Sequence, residues 1–364
     1  MNIRKIRIVE WESITSDGAV LAIIITAAGA LGDFGVQILL ARSVSVAWYG
    51  DYSIAYAALI LGGIVAILGS DRTCMRFLPG YIGKGDQARI SGFCTVHVGL
   101  AIGISLVIVA VVAIVHYALD TEGISFFDTS KGHPVLFAVW LIPFYAVYRL
   151  APGVLSAAGR PIHSTVSTRL GVPGVTAVVI VLIPLAGYAI TPEAMLGGFA
   201  LAYFLVVLAV IALLPKDVSV WSRRKAYDPK LWLGVSIPIM VGQLVWKLNG
   251  YSGTLMLEII GKDEAQVGLF SAATNAGALV MIPMTALVAT ILPRLGPIAQ
   301  DESNHAARQK LYGQATRQLT FFTLLVALPI LLFREQVLGL FGSDYQTAGL
   351  VLVMIATTFL VTGF

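Results

Sequence analysis

The feature that most constrains this chain is a series of apolar runs of roughly 20 residues, separated by short polar segments. A run of that length is what an α-helix needs to cross about 30 Å of hydrocarbon. Charged residues make up only 12% of the chain, against about 25% in a soluble domain, and the mean hydropathy is +0.85. Outer-membrane barrels alternate apolar and polar residues over about 10 positions, which this sequence does not do. It predicts an all-α integral membrane protein.

Ten membrane spans are predicted. They lie at 18–41, 50–70, 93–117, 135–157, 165–187, 194–214, 232–259, 267–291 and 318–340, with a tenth that starts near 347. The tenth run is still apolar at Phe364, so we expect C-terminal helices of a longer protein to be missing from this chain. Residues 1–17 are polar and basic, and we expect them to form a cytoplasmic, interfacial segment.

Positive charge predicts the orientation of these spans. Of the 24 Lys and Arg residues, seventeen fall on the side of the N-terminus and four (Arg42, Lys131, Lys262 and Arg334) on the other side. The remaining three, Arg149, Arg169 and Lys247, lie within spans. Because cytoplasmic loops are enriched in Lys and Arg, we predict a cytoplasmic N-terminus. The net charge of +4 therefore reports membrane topology and does not indicate a nucleic-acid partner.

The longest internal polar stretch, 215–231, predicts a cytoplasmic linker between an N-terminal lobe at 18–214 and a C-terminal lobe at 232–364. Two short motifs suggest that the lobes are repeats with an offset of 218 residues. Tyr49-Gly50-Asp51-Tyr52-Ser53 opens the second span, and Val267-Gly268-Leu269-Phe270-Ser271 opens the eighth. An even number of helices per lobe would make the repeats parallel in the membrane.

Signals of catalysis are absent from the sequence. It has no CxxC, HExxH, GxxxxGK or GxSxG motif, and we predict neither an enzyme, nor a metal site, nor a resident cofactor. The two cysteines, Cys74 and Cys94, lie near the predicted cytoplasmic face, where a structural disulfide is not expected.

Five segments run in the order in which they occur in one transporter family. They are Ala41-Arg42 with Tyr49-Gly50-x-Tyr52 and Arg72…Arg76-Phe77; Leu155-Ser156-Ala157-Ala158-Gly159-Arg160; Val267 to Ala273; Ile282-Pro283…Leu292-Pro293-Arg294-Leu295; and Leu340-Phe341-Gly342-Ser343-Asp344-Tyr345. With them the chain resembles the polysaccharide-type flippases of the multidrug/oligosaccharidyl-lipid/polysaccharide superfamily. It departs from that family in having ten helices where members usually have 12 to 14, and in lacking an acid at 248–253 in the seventh span.

The resemblance implies a MATE-like bundle of two helical lobes in the cytoplasmic membrane. It also implies transport of a polyprenyl-pyrophosphate oligosaccharide for cell-surface polysaccharide or lipopolysaccharide synthesis, by alternating access. Expected partners are the lipid-linked oligosaccharide, membrane lipids and other membrane proteins of polysaccharide assembly. Three alternatives stay open: a cation-coupled multidrug antiporter of the same superfamily, a membrane glycan polymerase, glycosyltransferase or ligase, and a non-transporting scaffold. The largest predicted outer loop, near 118–134, is small for such an enzyme.

Ionisable residues within spans are the candidate transport residues, because each costs about 2.5–3.5 kcal/mol at the bilayer centre. Asp33 and Lys247 lie near the middle of the first and seventh spans, which line the central cleft in the family. We expect Lys247, with Gln243 one turn before it and Asn249 nearby, to meet the pyrophosphate. Asp33 would bind a coupling cation, Na⁺ or H⁺, or balance the charge of Lys247. Mutual neutralisation of Asp33 and Lys247 is the structural alternative.

Arginines at or near span ends are candidates for lipid head groups. Arg149 and Arg169 could guide a phosphate, because the guanidinium fork matches phosphate oxygens, or they could extend to the membrane interface. Arg42, Arg72 and Arg76 are predicted to anchor helix ends and contact head groups, with Arg72 and Arg76 four residues apart on one face.

Overall fold

The computed structural model describes residues 17–121, 134–188, 190, 192–215, 218, 220, 222–261, 263–285 and 305–362. Its regular structure within these ranges is helical. The helices are α1 (Asp17–Ser43), α2 (Val46–Ile67), α3 (Ser70–Gly83), α4 (Gln87–Thr121), α5 (Pro134–Trp140), α6 (Ile142–Ala157), α7 (Pro161–Val166), α8 (Val172–Leu185), α9 (Pro192–Leu213), α10 (Pro229–Met256), α11 (Glu264–Gly277), α12 (His305–Leu332), α13 (Arg334–Gly339) and α14 (Gly349–Thr362). Short π-helical turns follow α7 and α10 (Ser167–Gly171 and Leu257–Gly261), and 3₁₀ turns follow α11 and precede α14 (Ala278–Met281 and Ser343–Ala348).

Eight helical segments of the described residues are long and apolar enough to cross a membrane, and they correspond to eight of the ten predicted spans. The predicted fourth span is divided at Leu141 into α5 and α6. Pro143 lies in the first turn of α6 and cannot donate the backbone hydrogen bond that would continue α5. The predicted sixth span corresponds to α9. Its apolar part, Gly197–Leu213, is shorter than the eight segments counted above. Residues 1–16, most of the loop at 118–134 and the end of the predicted eighth span lie outside the described residues.

The basic segment after the second predicted span is helical. After a break at Leu68 and Gly69, α3 runs from Ser70 to Gly83, and α4 begins at Gln87 rather than at residue 93. Asp86 fixes this early start, because its Oδ1 accepts a hydrogen bond from the backbone N–H of Arg89 at 3.0 Å, as an N-terminal cap does. Arg72 and Arg76 are therefore residues of a helix.

Residues 38–271 form one compact unit, and α2 is its central helix. Helix α2 packs against α4, α5, α6 and α10. Its buried residues, which include Tyr49, Leu59 and Ile64, are spread around the helix rather than along one stripe, as expected for a helix covered on several sides.

The described residues of 1–37 and 272–364 form a second compact unit. Within it, α12 packs against α14. A Cβ on Gly277 would come to 2.8 Å from Cγ2 of Ile355, so glycine permits α11 and α14 to lie close together. The rings of Phe34 and Phe341 meet edge to face with centroids 5.5 Å apart.

Gly50 and Gly268, which the 218-residue offset pairs, pack against each other within the 38–271 unit. A Cβ on Gly50 would come to 2.0 Å from the carbonyl oxygen of Glu264, and a Cβ on Gly268 would come to 2.1 Å from that of Val46. Val46 and Glu264 are themselves 218 residues apart, so the contact is reciprocal. Only glycine allows backbones this close, and the symmetry of the contact is what an internal repeat predicts.

The described part of the 215–231 segment packs on the start of α4. The backbone N–H of Ala226 donates to the carbonyl oxygen of Ala88 at 2.9 Å, and Ser91 Oγ donates to the carbonyl oxygen of Val220 at 3.1 Å. Val218 belongs to the same buried cluster as Phe93 and Trp232. The segment therefore lies inside the 38–271 unit, and its role as a linker between two repeat lobes stays a prediction.

Candidate functional site

The candidate site is built around a break between α2 and α3. Leu68 and Gly69 both have left-handed backbone conformations, with φ of 51° and 74°, which is strained for leucine. Helix α10 crosses at this point: a Cβ on Gly69 would lie 2.5 Å from the carbonyl oxygen of Ser236. Ser236 Oγ also donates to Thr73 Oγ1 at 2.8 Å. Broken helices at membrane depth mark binding sites in several transporter folds, because their free backbone ends meet ligands.

Asp71 lies in the first turn of α3, and it connects three helices. Arg149 Nη2, from α6, donates to Asp71 Oδ2 at 2.7 Å. Gln243 Nε2, from α10, donates to Asp71 Oδ1 at 3.1 Å. The side chain of Asp71 is only 10% exposed, while that of Arg149 is 35% exposed. The helix N-terminus further stabilises the carboxylate, so Asp71 is a well-held counterion for Arg149.

This cluster keeps unused hydrogen-bonding capacity. Arg149 Nε and Gln243 Oε1 are buried and have no hydrogen-bond partner in the part of the chain that the structure describes. A buried donor or acceptor without a partner costs about 1–3 kcal/mol. A ligand, an ion or water that bound there would recover part of that cost.

Lys247 lies one turn beyond Gln243 on α10 and adds a second positive charge. Its Nζ is 5.9 Å from the ring centroid of Tyr251, within the range of a cation–π interaction. Lys247 is also close enough to Arg149 and Arg169 to interact with their charges. Arg169 lies in the π-helical turn Ser167–Gly171, a type of irregularity that often occurs at functional sites.

Tyrosines form one wall of this region. Tyr148 and Tyr203 stack with centroids 4.8 Å apart, and Tyr145 meets Tyr203 edge to face at 5.4 Å. Tyr251, on α10, lies within electrostatic range of Tyr145 and Tyr52. The cationic cluster (Arg149, Arg169 and Lys247) is therefore bordered by aromatic rings that carry hydroxyl groups.

The structure brings together four of the residues that the sequence singled out: Gln243, Lys247, Arg149 and Arg169. Among the described residues, Asp71 is the acid that pairs with this cluster, and Lys247 and Arg169 have no acidic partner there. The arrangement carries excess positive charge beside aromatic groups, which suits an anion with phosphate oxygens.

The remaining predicted residues are all exposed. Asn249 is exposed on α10, two residues from Lys247 and therefore on a different side of the helix. Asp33 is exposed on α1, in the other compact unit. Arg42 is exposed in the last turn of α1, and Arg72 and Arg76 are exposed on α3, where the Arg76 guanidinium lies 5.9 Å from the Phe77 ring.

Sequence reasoning missed Asp71. It lies at the end of an apolar run, where a polar Ser-Asp-Arg triplet is typical of a span that has reached the interface. The overlooked signal is Gly69-Ser70-Asp71, in which glycine can break a helix and an acid favours the first turn of the next one.

Comparisons with solved structures agree with the described fold. A MATE protein in complex with MaD5 aligns with 96% of this chain and 83% of its own, at a TM-score of 0.63 and 16% identity. The MATE multidrug transporter DinF-BH aligns with 93% of this chain and 84% of its own (TM-score 0.58, 15% identity). A MOP superfamily transporter from Pyrococcus furiosus Vc1 (DSM3638) aligns with 96% of this chain and 87% of its own (TM-score 0.59, 15% identity). No protein-family model matches the sequence, and no curated protein matches it.

These structures confirm the predicted MATE-like helical membrane fold. The structural neighbours are transporters rather than enzymes. At 15–16% identity the likeness concerns the fold and does not extend to substrate or mechanism.

Proposed function

We propose that this protein transports a lipid-linked oligosaccharide across the cytoplasmic membrane by alternating access, and that the cationic cluster binds the pyrophosphate of that substrate. The observation that carries the proposal is that Lys247 lies within electrostatic range of Arg149 and Arg169, while the described acid Asp71 pairs with Arg149 alone. Mutual repulsion of like charges within a membrane protein is costly, and an anionic substrate would relieve it.

The three cations offer two kinds of contact to the phosphate groups of a pyrophosphate. Arg149 and Arg169 can each offer two parallel N–H donors to phosphate oxygens, whereas Lys247 acts as a compact point charge. The neighbouring tyrosine hydroxyls and rings suit the first sugar, because aromatic faces pack on apolar sugar surfaces and hydroxyls hydrogen-bond to sugar hydroxyls.

Asp71 gives the site an internal anion that competes with the substrate. In the structure it holds Arg149 on α6 and Gln243 on α10. We propose that pyrophosphate displaces the carboxylate from Arg149 and so loosens the connection from α6 to α10. Binding would then bias a conformational equilibrium, as alternating access requires.

Asp33 is proposed as a ligand of the coupling cation, Na⁺ or H⁺. Other polysaccharide-assembly proteins are proposed as partners.

A multidrug antiporter is the second candidate, because one structural neighbour is a multidrug transporter and aromatic clusters can hold organic cations. Three clustered positive charges oppose that reading. Another neighbour is described by the reverse polarity of its binding pocket, which suggests a different function for that protein. Pocket polarity thus varies on this fold, and here it favours an anion.

The test is a flipping assay in proteoliposomes with a fluorescent, short-chain polyprenyl-pyrophosphate sugar. Lys247→Ala should reduce the initial rate at least tenfold, since a hydrogen bond to a charged group contributes about 1.5–3 kcal/mol. Arg149→Lys, which keeps the charge and loses the fork, should fall between the wild type and Lys247→Ala.

Lys230→Ala is the matched control, because Lys230 is an exposed lysine at the start of the same helix. It should flip the substrate at the wild-type rate. Equal rates for Lys247→Ala and the wild type would refute the pyrophosphate role. Efflux of an organic cation by the wild type, with no flipping of the lipid-linked sugar, would favour the antiporter.

A further inference from the structure

A groove separate from the cationic cluster lies between α4, α6, α9 and the segment that follows α9. Its volume is about 320 Å³. The helices line it mainly with apolar residues: Cys94, Val98, Leu150, Val154, Val210 and Ile211. The α6 residues of this lining recur at three- and four-residue spacing and so occupy one face of the helix, and Arg149 is not among them.

One end of the groove is basic. Lys225 belongs to its lining, and it is exposed, as are Arg223 and Arg224. None of the three has an acidic partner among the described residues. The next residue is fixed in place, because the backbone N–H of Ala226 donates to Ala88 and a Cβ on Gly92 would meet the Ala226 carbonyl oxygen at 1.9 Å.

We propose that this groove binds one hydrocarbon chain of an anionic membrane phospholipid, with the lipid phosphate on Lys225. The groove matches the layout of an anionic membrane lipid. Its apolar lining along α4, α6 and α9 suits a hydrocarbon chain, and Lys225, where those helices meet the basic segment, suits the phosphate. Among its described lining residues, polar side chains are confined to Thr95 and Lys225. That is too few to recognise an oligosaccharide, so the ligand is a bilayer lipid and not the transported substrate.

Native mass spectrometry of the whole chain, exchanged into mixed micelles with phosphatidylglycerol or phosphatidylcholine, tests this proposal. The wild type should retain one phosphatidylglycerol in preference to phosphatidylcholine. Lys225→Ala should reduce that preference about fivefold, in keeping with the contribution of one basic residue near an anionic membrane surface. Ala151→Phe, which fills the groove from α6, should lower the retention of both lipids.

Lys230→Ala provides the control for charge, because it removes one positive charge from an exposed lysine that does not line the groove. Its lipid preference should equal that of the wild type. The proposal fails if Lys225→Ala and Lys230→Ala behave alike, if Ala151→Phe retains lipid normally while its thermal unfolding is unchanged, or if a second copy of the protein is retained in place of lipid. Flipping activity is not part of the readout, so this result is independent of the proposed transport function.

Discussion

Single substitutions in this protein should affect stability most where they remove a buried charged side chain. Asp71 is nearly buried and accepts hydrogen bonds from Arg149 and Gln243. Removing one partner of such a pair leaves the other without compensation, which costs more than removing both. The pair therefore predicts a non-additive response to mutation.

We predict that Arg149→Ala lowers the free energy of unfolding by roughly 2 kcal/mol. This is less than the ~3–5 kcal/mol expected for a fully buried pair, because a third of the Arg149 side chain is exposed and solvent screens it. The Asp71→Ala, Arg149→Ala double variant should be more stable than the Arg149→Ala variant. Thermal unfolding in detergent, followed by intrinsic fluorescence, measures both.

The double-mutant comparison separates the ion pair from simple loss of packing. If the double variant is less stable than Arg149→Ala by the full cost of Asp71→Ala, the two side chains act independently. That additivity would contradict the role of Asp71 as the counterion of Arg149.

At the scale of elements, close backbone approaches decide how helices pack. Gly50 and Gly268 allow α2 and α11 to meet backbone to backbone, and Gly69 allows α10 to cross the break between α2 and α3. In each case an added Cβ would meet rigid main-chain atoms within 3 Å. These contacts cannot relax by a change of rotamer, so they are sensitive to the smallest substitution.

We predict that Gly50→Ala and Gly268→Ala each destabilise the protein by about 1–3 kcal/mol through overpacking. The two effects should be similar, because the contacts are reciprocal. Gly103→Ala is the matched control: Gly103 lies within α4, and an added Cβ there meets nothing within 4 Å. It should be neutral or stabilising, since alanine favours a helix over glycine by about 1 kcal/mol. A neutral Gly50→Ala variant would contradict the close contact.

At the scale of the whole molecule, the distribution of basic residues predicts a cytoplasmic N-terminus. Five predicted crossings separate Ser43 from Arg224, and both residues are exposed. An odd number of crossings places them on opposite sides of the membrane.

We predict that, in a background without Cys74 and Cys94, Ser43→Cys reacts with a membrane-impermeant maleimide added to intact cells. Arg224→Cys should react only after the membrane is made permeable. The reverse pattern would contradict the orientation, and reaction of both from outside would contradict the number of crossings between them.

The sequence by itself determined the fold class and the positions of most helices, and it singled out four residues that the structure brings together: Arg149, Arg169, Gln243 and Lys247. These properties are local, because apolar length and helix periodicity are set within a single turn or a single span. The sequence also predicts a repeat with an offset of 218 residues, and Gly50 and Gly268, which that offset pairs, lie in reciprocal backbone contacts.

Only the tertiary structure decided what those residues contact. Asp71 meets Arg149 from 78 residues away and Gln243 from 172 residues away, and such separations leave no periodic trace in one sequence. The continuation of helix beyond Gly69 and the groove beside Lys225 were likewise fixed by packing between α3, α4, α6, α9 and α10. Their physical basis is the match of close-packed surfaces, which depends on the whole fold and not on any one segment.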